Sequence, residues 1–85
     1  MASYSFTVDP VVQGASFKVE VTDAPCTDVT VEFRLDGSLV DSKTVTVVGS
    51  ATFSCPSSSD GREWTIVVKC PGESGVDKTG TVQAN

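Results

Sequence analysis

Residues 29–36, VTVEFRLD, alternate strictly between apolar and polar side chains. A period of two indicates a β-strand with one buried face, because successive side chains of a strand point to opposite faces of a sheet. Asp36 is followed by Gly37, and Asp-Gly is a strong signal for the tight turn of a β-hairpin. This stretch therefore predicts a half-buried strand that leads directly into a hairpin.

The same alternation recurs on both sides of this stretch, with turn residues between the segments. Phe17, Val19 and Val21, for example, alternate with charged residues and a threonine. The run at residues 39–48 is more polar, which suits a strand at the edge of a sheet. The predicted strands cover residues 4–8, 17–22, 29–36, 39–48, 51–55, 64–70 and 76–84, the last one interrupted at Gly80.

The length and composition predict one all-β domain over residues 1–85. Eighty-five residues are enough for a single domain with a thin core. The chain holds 15 valines but only two leucines and one isoleucine. Valine is stiff at χ1 and fits a pleated surface better than a helix.

Residues 60–66, DGREWTI, resemble the D-x-(G/A)-x-Y-x-C stretch that opens the sixth strand of immunoglobulin domains. Gly61 stands one place early, Trp64 replaces the tyrosine, and Ile66 replaces the second disulfide cysteine. The resemblance implies an immunoglobulin-like or fibronectin-III-like β-sandwich of about seven antiparallel strands. It also implies that aliphatic packing of Ile66 against Val19 or Val21 replaces the inter-sheet disulfide; a small barrel or a jelly-roll fragment is the alternative fold.

The implied sandwich places the three cysteines. The loops after the second and sixth strands lie at the same end of such a sandwich, so Cys26 and Cys70 are expected to form a disulfide. Cys55 lies at the opposite end, as a free thiol or as the source of an intermolecular bond. Three free thiols are the alternative, since cysteine often packs as a small apolar residue. The spacing does not favour zinc.

Several kinds of chemistry are disfavoured by composition. The chain contains no histidine, the commonest general base and metal ligand, and we expect neither catalysis nor a cofactor. A net charge of −5 argues against nucleic acid and anionic membranes as partners. Glu20 and Glu32 are expected to be neighbours on adjacent strands, where an outward face beside basic residues is a simpler explanation than a catalytic pair.

Two sets of loop residues are candidates for binding. Asp23 and Asp28 flank one predicted loop, and Glu73 and Asp77 flank another at the same end. Four carboxylates there could bind calcium. The polar loop at residues 56–61, which contains Ser57 and Asp60, would form the opposite end. Trp64 is expected to pack in the core or at a corner rather than to stack on sugars.

Small, acidic immunoglobulin-like domains rich in Val, Thr and Ser, which start at Met without a signal sequence, resemble accessory domains that decorate tailed phages. The resemblance implies a virion protein bound to a capsid or tail protein, with weak contacts to glycans or host surfaces. One alternative is a spacer or adhesion module of a bacterial surface or secreted protein, located outside the cell. Another is an enzyme-associated or inhibitory binding domain.

Overall fold

The computed structural model describes residues 3–85 and contains seven β-strands joined by turns and loops. Within this range there is no helix, and thus none long and apolar enough to cross a membrane. The strands are β1 (Ser5–Val8), β2 (Ser16–Asp23), β3 (Asp28–Leu35), β4 (Ser38–Thr46), β5 (Gly49–Ser54), β6 (Glu63–Lys69) and β7 (Val76–Thr81).

The strands form two antiparallel sheets, ordered β1-β2-β5 and β4-β3-β6-β7. The sheets share one core, so the protein is an all-β sandwich, as the sequence predicts. β4 stays in the sheet of β3, whereas the fourth strand of a constant-type immunoglobulin domain joins the other sheet. β4 therefore forms a free edge of the larger sheet. The molecule is elongated, with principal extents of 39 × 20 × 17 Å.

Three phenylalanines pack together between the sheets. Phe17 and Phe53 lie on neighbouring strands of the smaller sheet, and Phe33 lies on β3 of the larger one. The ring centroid of Phe33 is 4.9 Å from that of Phe17 in an edge-on arrangement and 5.9 Å from that of Phe53. Such tilted aromatic pairs add to the stabilisation from buried area. The three rings therefore pack the two sheets against each other in the core.

Aliphatic side chains occupy the positions that correspond to the two cysteines of the inter-sheet disulfide in immunoglobulin domains. Val19 and Val21 of β2 and Ile66 of β6 are each 0% exposed. All three belong to the same buried cluster. These positions are filled by core packing, without a crosslink between them.

The β3–β4 hairpin has the tight turn that the sequence predicts. Leu35 pairs with Ser38, leaving Asp36 and Gly37 as the two turn residues. Both have positive φ angles, 51° and 85° respectively. Two-residue hairpin loops favour this conformation because its twist matches that of the flanking strands, and Gly adopts it at little cost.

The seven predicted strands correspond to β1–β7, but some boundaries differ. Tyr4 lies before β1, and β4 stops at residue 46, although the N–H of Val47 still donates to the carbonyl of Thr27. The last strand was expected to be interrupted at Gly80 and to reach residue 84. Instead β7 runs without a break through Gly80 and ends at residue 81, where the next residue, Val82, enters the core.

Gly80 remains in the strand because an indole ring covers it. Trp64 pairs directly with Gly80 across β6 and β7. A Cβ atom at residue 80 would lie 2.6 Å from Cζ2 of Trp64. An aromatic side chain opposite a glycine compensates for the missing side chain. The half-buried indole packs against the core, as the sequence predicts.

Replacing Gly80 by alanine should displace this indole and destabilise the sandwich. We expect a loss of about 1–3 kcal/mol, the usual cost of forcing an extra methyl group into a packed site. Trp64 is the only tryptophan. Its fluorescence therefore reports both the surroundings of the indole in the folded protein and the urea concentration at the midpoint of unfolding. Thr79→Ala, an exposed change in the same strand, is the control. An unchanged native emission and midpoint in Gly80→Ala would contradict the packing described.

Two lysines bridge the two sheets, one along each long edge of the sandwich. Lys43 of β4 lies 5.4 Å from the ring centroid of Phe53 and donates to the carbonyl of Thr52. Lys78 of β7 lies 4.8 Å from the ring centroid of Phe6 and donates to that residue's carbonyl, at 2.6 Å. Each lysine joins an edge strand of the larger sheet to an edge strand of the smaller one. Inward-pointing charges on edge strands also discourage the addition of foreign strands.

Candidate functional site

A disulfide joins two loops at one end of the sandwich. Cys26 lies between β2 and β3, and Cys70 directly follows β6. The two residues are bonded, with Cα atoms 6.0 Å apart and a sequence separation of 44. The disulfide expected from the sandwich resemblance is therefore confirmed. It ties the loop that crosses between the sheets to a central strand of the larger sheet. We call residues 24–27 and 70–75 the disulfide end.

Tyr4 fastens the N-terminal segment to the disulfide end. Its hydroxyl donates to Oε1 of Glu73 at 2.7 Å and accepts from the N–H of Cys70 at 2.9 Å. Desolvation raises the pKa of Tyr4, and the hydrogen bond to Glu73 raises it further. The sequence indicated only a strand residue here. Nothing local in the sequence points to partners 66 and 69 residues away.

The four acidic residues predicted to flank the loops are all exposed. Asp23 ends β2, Asp28 begins β3, Glu73 lies in the β6–β7 loop, and Asp77 is in β7. Oδ1 of Asp28 accepts a hydrogen bond from Oγ1 of Thr46 at 3.0 Å. Within residues 3–85 no three carboxylates or cysteines are grouped so that they could hold a metal ion. The structure therefore gives the calcium alternative no support.

The opposite end is formed by residues 55–62, which we call the serine-rich end. Ser57 and Asp60 are exposed there, as expected for loop residues. Ser59 is instead buried, and its hydroxyl donates to the carbonyl of Pro56 at 2.5 Å. Cys55 lies beneath this loop as a buried free thiol, with Sγ 3.4 Å from Oγ of Ser59. An intermolecular bond through Cys55 would first require this loop to open.

A charge cluster lies on the outer face of the larger sheet. Oε1 of Glu32 is 3.0 Å from Nη2 of Arg34, and its Oε2 is 3.1 Å from Nζ of Lys69. Hydrogen bonds from Lys69 and then from Arg34 lower the pKa of Glu32. The expected proximity of Glu20 to Glu32 is wrong. β2 and β3 belong to different sheets, because the connection between them crosses the sandwich.

An exposed ion pair links the β3–β4 hairpin to β6. Nε of Arg62 lies 2.7 Å from Oδ2 of Asp36, and the N–H of Glu63 donates to Oδ1 of the same carboxylate at 3.2 Å. The hydrogen bond from Arg62 lowers the pKa of Asp36, and the one from Glu63 lowers it further. Asp36 therefore forms the turn and also fastens it to the neighbouring strand.

These carboxylates should make the fold less stable in acid. The pKa values of Glu32 and Asp36 are lower in the folded chain than in the unfolded chain, so the unfolded state binds protons first as the pH falls. Their stabilisation should be complete above about pH 5, since unfolded carboxyl groups titrate near 4. It should disappear as the pH falls through the folded pKa values.

Urea unfolding between pH 7 and pH 3 tests this dependence with Glu32→Gln. We expect this variant to lose about 0.5–1 kcal/mol at pH 7 and to lose less stability than the wild type on acidification. Glu20→Gln, on the exposed outer face of β2, is the matched control and should follow the wild type. Equal pH dependence in Glu32→Gln and wild type would contradict a stabilising role for this cluster.

No pocket is found among residues 3–85. The surface available for contacts consists of the two loop ends, the outer sheet faces and the strand edges. No known family model matches the chain, and no curated protein is a match to it.

Proposed function

We propose that the chain is a non-catalytic structural and binding module of a phage virion, displayed on the particle and attached to a capsid or tail protein. The observation that supports this best is the elongated sandwich, 39 Å long, with a crosslinked loop end opposite a serine-rich one. A molecule of this shape can attach through one end while the other faces outward. An acidic surface keeps such a module soluble.

The disulfide fits a protein that functions outside a living cell. Disulfides persist in oxidising surroundings and are rare in the reducing cytosol. A virion protein assembled in the cytoplasm meets oxidising conditions after lysis, and the Cys26–Cys70 bond would then form or persist. The crosslink also supports a domain of this size, whose core is thin.

The disulfide end is the better candidate for attachment. Cys26 and Cys70 hold two loops together, and Tyr4 adds a third segment through its hydrogen bonds. A preorganised surface loses less conformational entropy when it binds. Asp23 and Asp28 flank this end, so a partner surface with lysine or arginine would match it in charge. The serine-rich end then faces outward, where its hydroxyls offer weak hydrogen bonds to glycans or a host surface.

The alternative is an immunoglobulin-like spacer or adhesion module of a bacterial surface or secreted protein. The same disulfide favours this location, because the cell exterior and the periplasm are oxidising. Both proposals place the chain outside the cytosol. They differ in whether it is found on a virus particle or on a cell surface.

Antibody detection distinguishes these two locations. We expect the chain to band with purified particles from a lysate of the cells that carry its gene, at a fixed number of copies per particle. Recovery only in the cell-envelope or secreted fraction would favour the alternative, and recovery only in the cytosol would contradict both. For attachment, Asp23→Lys/Asp28→Lys should lower incorporation into particles, whereas Ser57→Lys/Asp60→Lys, which also adds two lysines but at the opposite end, should not.

A further inference from the structure

β4 is an exposed edge strand. It is the longest strand, with nine residues, and residues 38–44 are all exposed. Leu39 and Val40 are 53% and 41% exposed, although both are large apolar residues. An edge strand carries backbone donors and acceptors that its own sheet does not use, and these can pair with another strand. β4 therefore has the length and accessibility needed for an interface.

One hydrogen bond shows which backbone groups face the free edge. The N–H of Ser42 donates to Oδ1 of the preceding Asp41 at 2.8 Å, so it is not used in the ladder with β3. Backbone groups alternate in direction along a strand, so Thr44 faces the same way as Ser42. At the free edge, the Asp41 carboxylate therefore accepts the hydrogen bond of an N–H that could instead donate to the carbonyl of another strand.

The sequence of β4 is complementary in charge to itself. When two copies run antiparallel about a twofold axis at Ser42, this residue lies opposite its own equivalent. Asp41 then faces Lys43 of the second copy, and Lys43 faces Asp41 of the second copy. Directly opposite side chains of an antiparallel pair lie on the same face and interact, and opposite charges stabilise the pairing. This register therefore forms two ion pairs.

We propose that β4 is an interface through which two copies of this chain associate. The two four-stranded sheets then join into one continuous sheet, with the same surface used by both copies. The N–H of Ser42 transfers from Asp41 to the carbonyl of Ser42 in the second copy. The Asp41 carboxylate is thereby released to pair with Lys43 of the second copy, whose ammonium exchanges the carbonyl of Thr52 for this carboxylate.

The same charges make this edge selective. Asp41 lies opposite Phe33 of β3, and Lys43 lies opposite Val31. The side chains of Phe33 and Val31 are buried, so Asp41 and Lys43 also lie on the core side of the sheet. A foreign apolar strand would leave both charges unmatched, which disfavours its binding. β1 has only four residues, β5 has six, and β7 contains Gly80, so these three edges are poorer templates than β4. A second copy of β4 supplies a matching charge for both residues.

Charge exchange tests the proposal without the natural partner, and its outcome does not depend on the virion assignment. The wild type should sediment at about twice its 8.9 kDa mass at high concentration. Asp41→Lys or Lys43→Asp alone places like charges opposite each other and should weaken association about ten- to a hundredfold. A mixture of the two variants should form a heterodimer, and the double variant Asp41→Lys/Lys43→Asp should form a homodimer.

The mixture separates loss of the interface from loss of the fold, because a misfolded variant would not be rescued by its counterpart. A wild type that stays monomeric at millimolar concentration would overturn the proposal. Failure of the two single variants to associate when mixed, while each gives a wild-type circular dichroism spectrum, would also overturn it.

Crosslinking tests the register. In the proposed pairing, Ser42→Cys brings two sulfurs opposite each other within disulfide range. Thr44→Cys is the matched control, since its two sulfurs would be offset by four residues, about 13 Å along the strand. We expect rapid oxidation to a covalent dimer only for Ser42→Cys. Equal rates for the two variants would contradict this register.

Discussion

Removal of the Cys26–Cys70 disulfide is expected to lower the free energy of unfolding by about 4 kcal/mol. The bond spans 44 residues, and closing a loop of this length reduces the entropy of the unfolded chain by that amount in the chain-entropy model. A small domain often has only about 5–15 kcal/mol of net stability. For 85 residues, the loss corresponds to a fall in melting temperature of about 15–30 °C.

The variant Cys26→Ala/Cys70→Ala tests this in thermal and urea unfolding. The wild type measured with a reductant should approach the stability of the variant, because both lack the crosslink. Cys55→Ala is the control, because it leaves the crosslink intact. Adding reductant should lower its free energy of unfolding nearly as much as it does in the wild type. Equal stability of the double variant and the oxidised wild type would show that the bond contributes little to this fold.

Phe33→Ala should have an effect of similar size from a different cause. Phe33 is 0% exposed and contacts the rings of Phe17 and Phe53 from the opposite sheet. Its truncation leaves a cavity where the two sheets meet, at a cost of about 3–5 kcal/mol. Urea unfolding measures this loss. Phe33→Leu keeps most of the apolar volume and should lose less than half as much. A loss below about 1 kcal/mol in Phe33→Ala would contradict a central role for this ring.

Local alternation was sufficient to predict the strands, because the period of two depends only on which side chains face the core. Residues 29–35 lie in β3, and Asp36 and Gly37 form the turn that follows it. The choice of sheet for each strand is not local. Glu20 and Glu32 were expected to be neighbours, yet their strands lie in different sheets, since alternation gives the buried face of a strand but not its neighbours.

The disulfide was predictable because it followed from the positions of two loops in the assumed sandwich. The role of Tyr4 was not, since its hydrogen bonds join residues far apart in the chain. A signal for Lys43 was present: it shares the alternation of Val45, which is buried, and so had to face the core side. Its position over Phe53 depends on the packing of the two sheets, which the sequence of one strand does not contain.

The buried thiol of Cys55 can be used to measure opening of the serine-rich end. Because Cys26 and Cys70 are bonded, Cys55 is the one sulfhydryl of the chain. A thiol reagent can reach it only after the serine-rich end moves away. The labelling rate under native conditions therefore measures how often that loop opens, separately from unfolding of the whole sandwich. Comparing the rate for free and partner-bound protein would show whether a partner covers the serine-rich end.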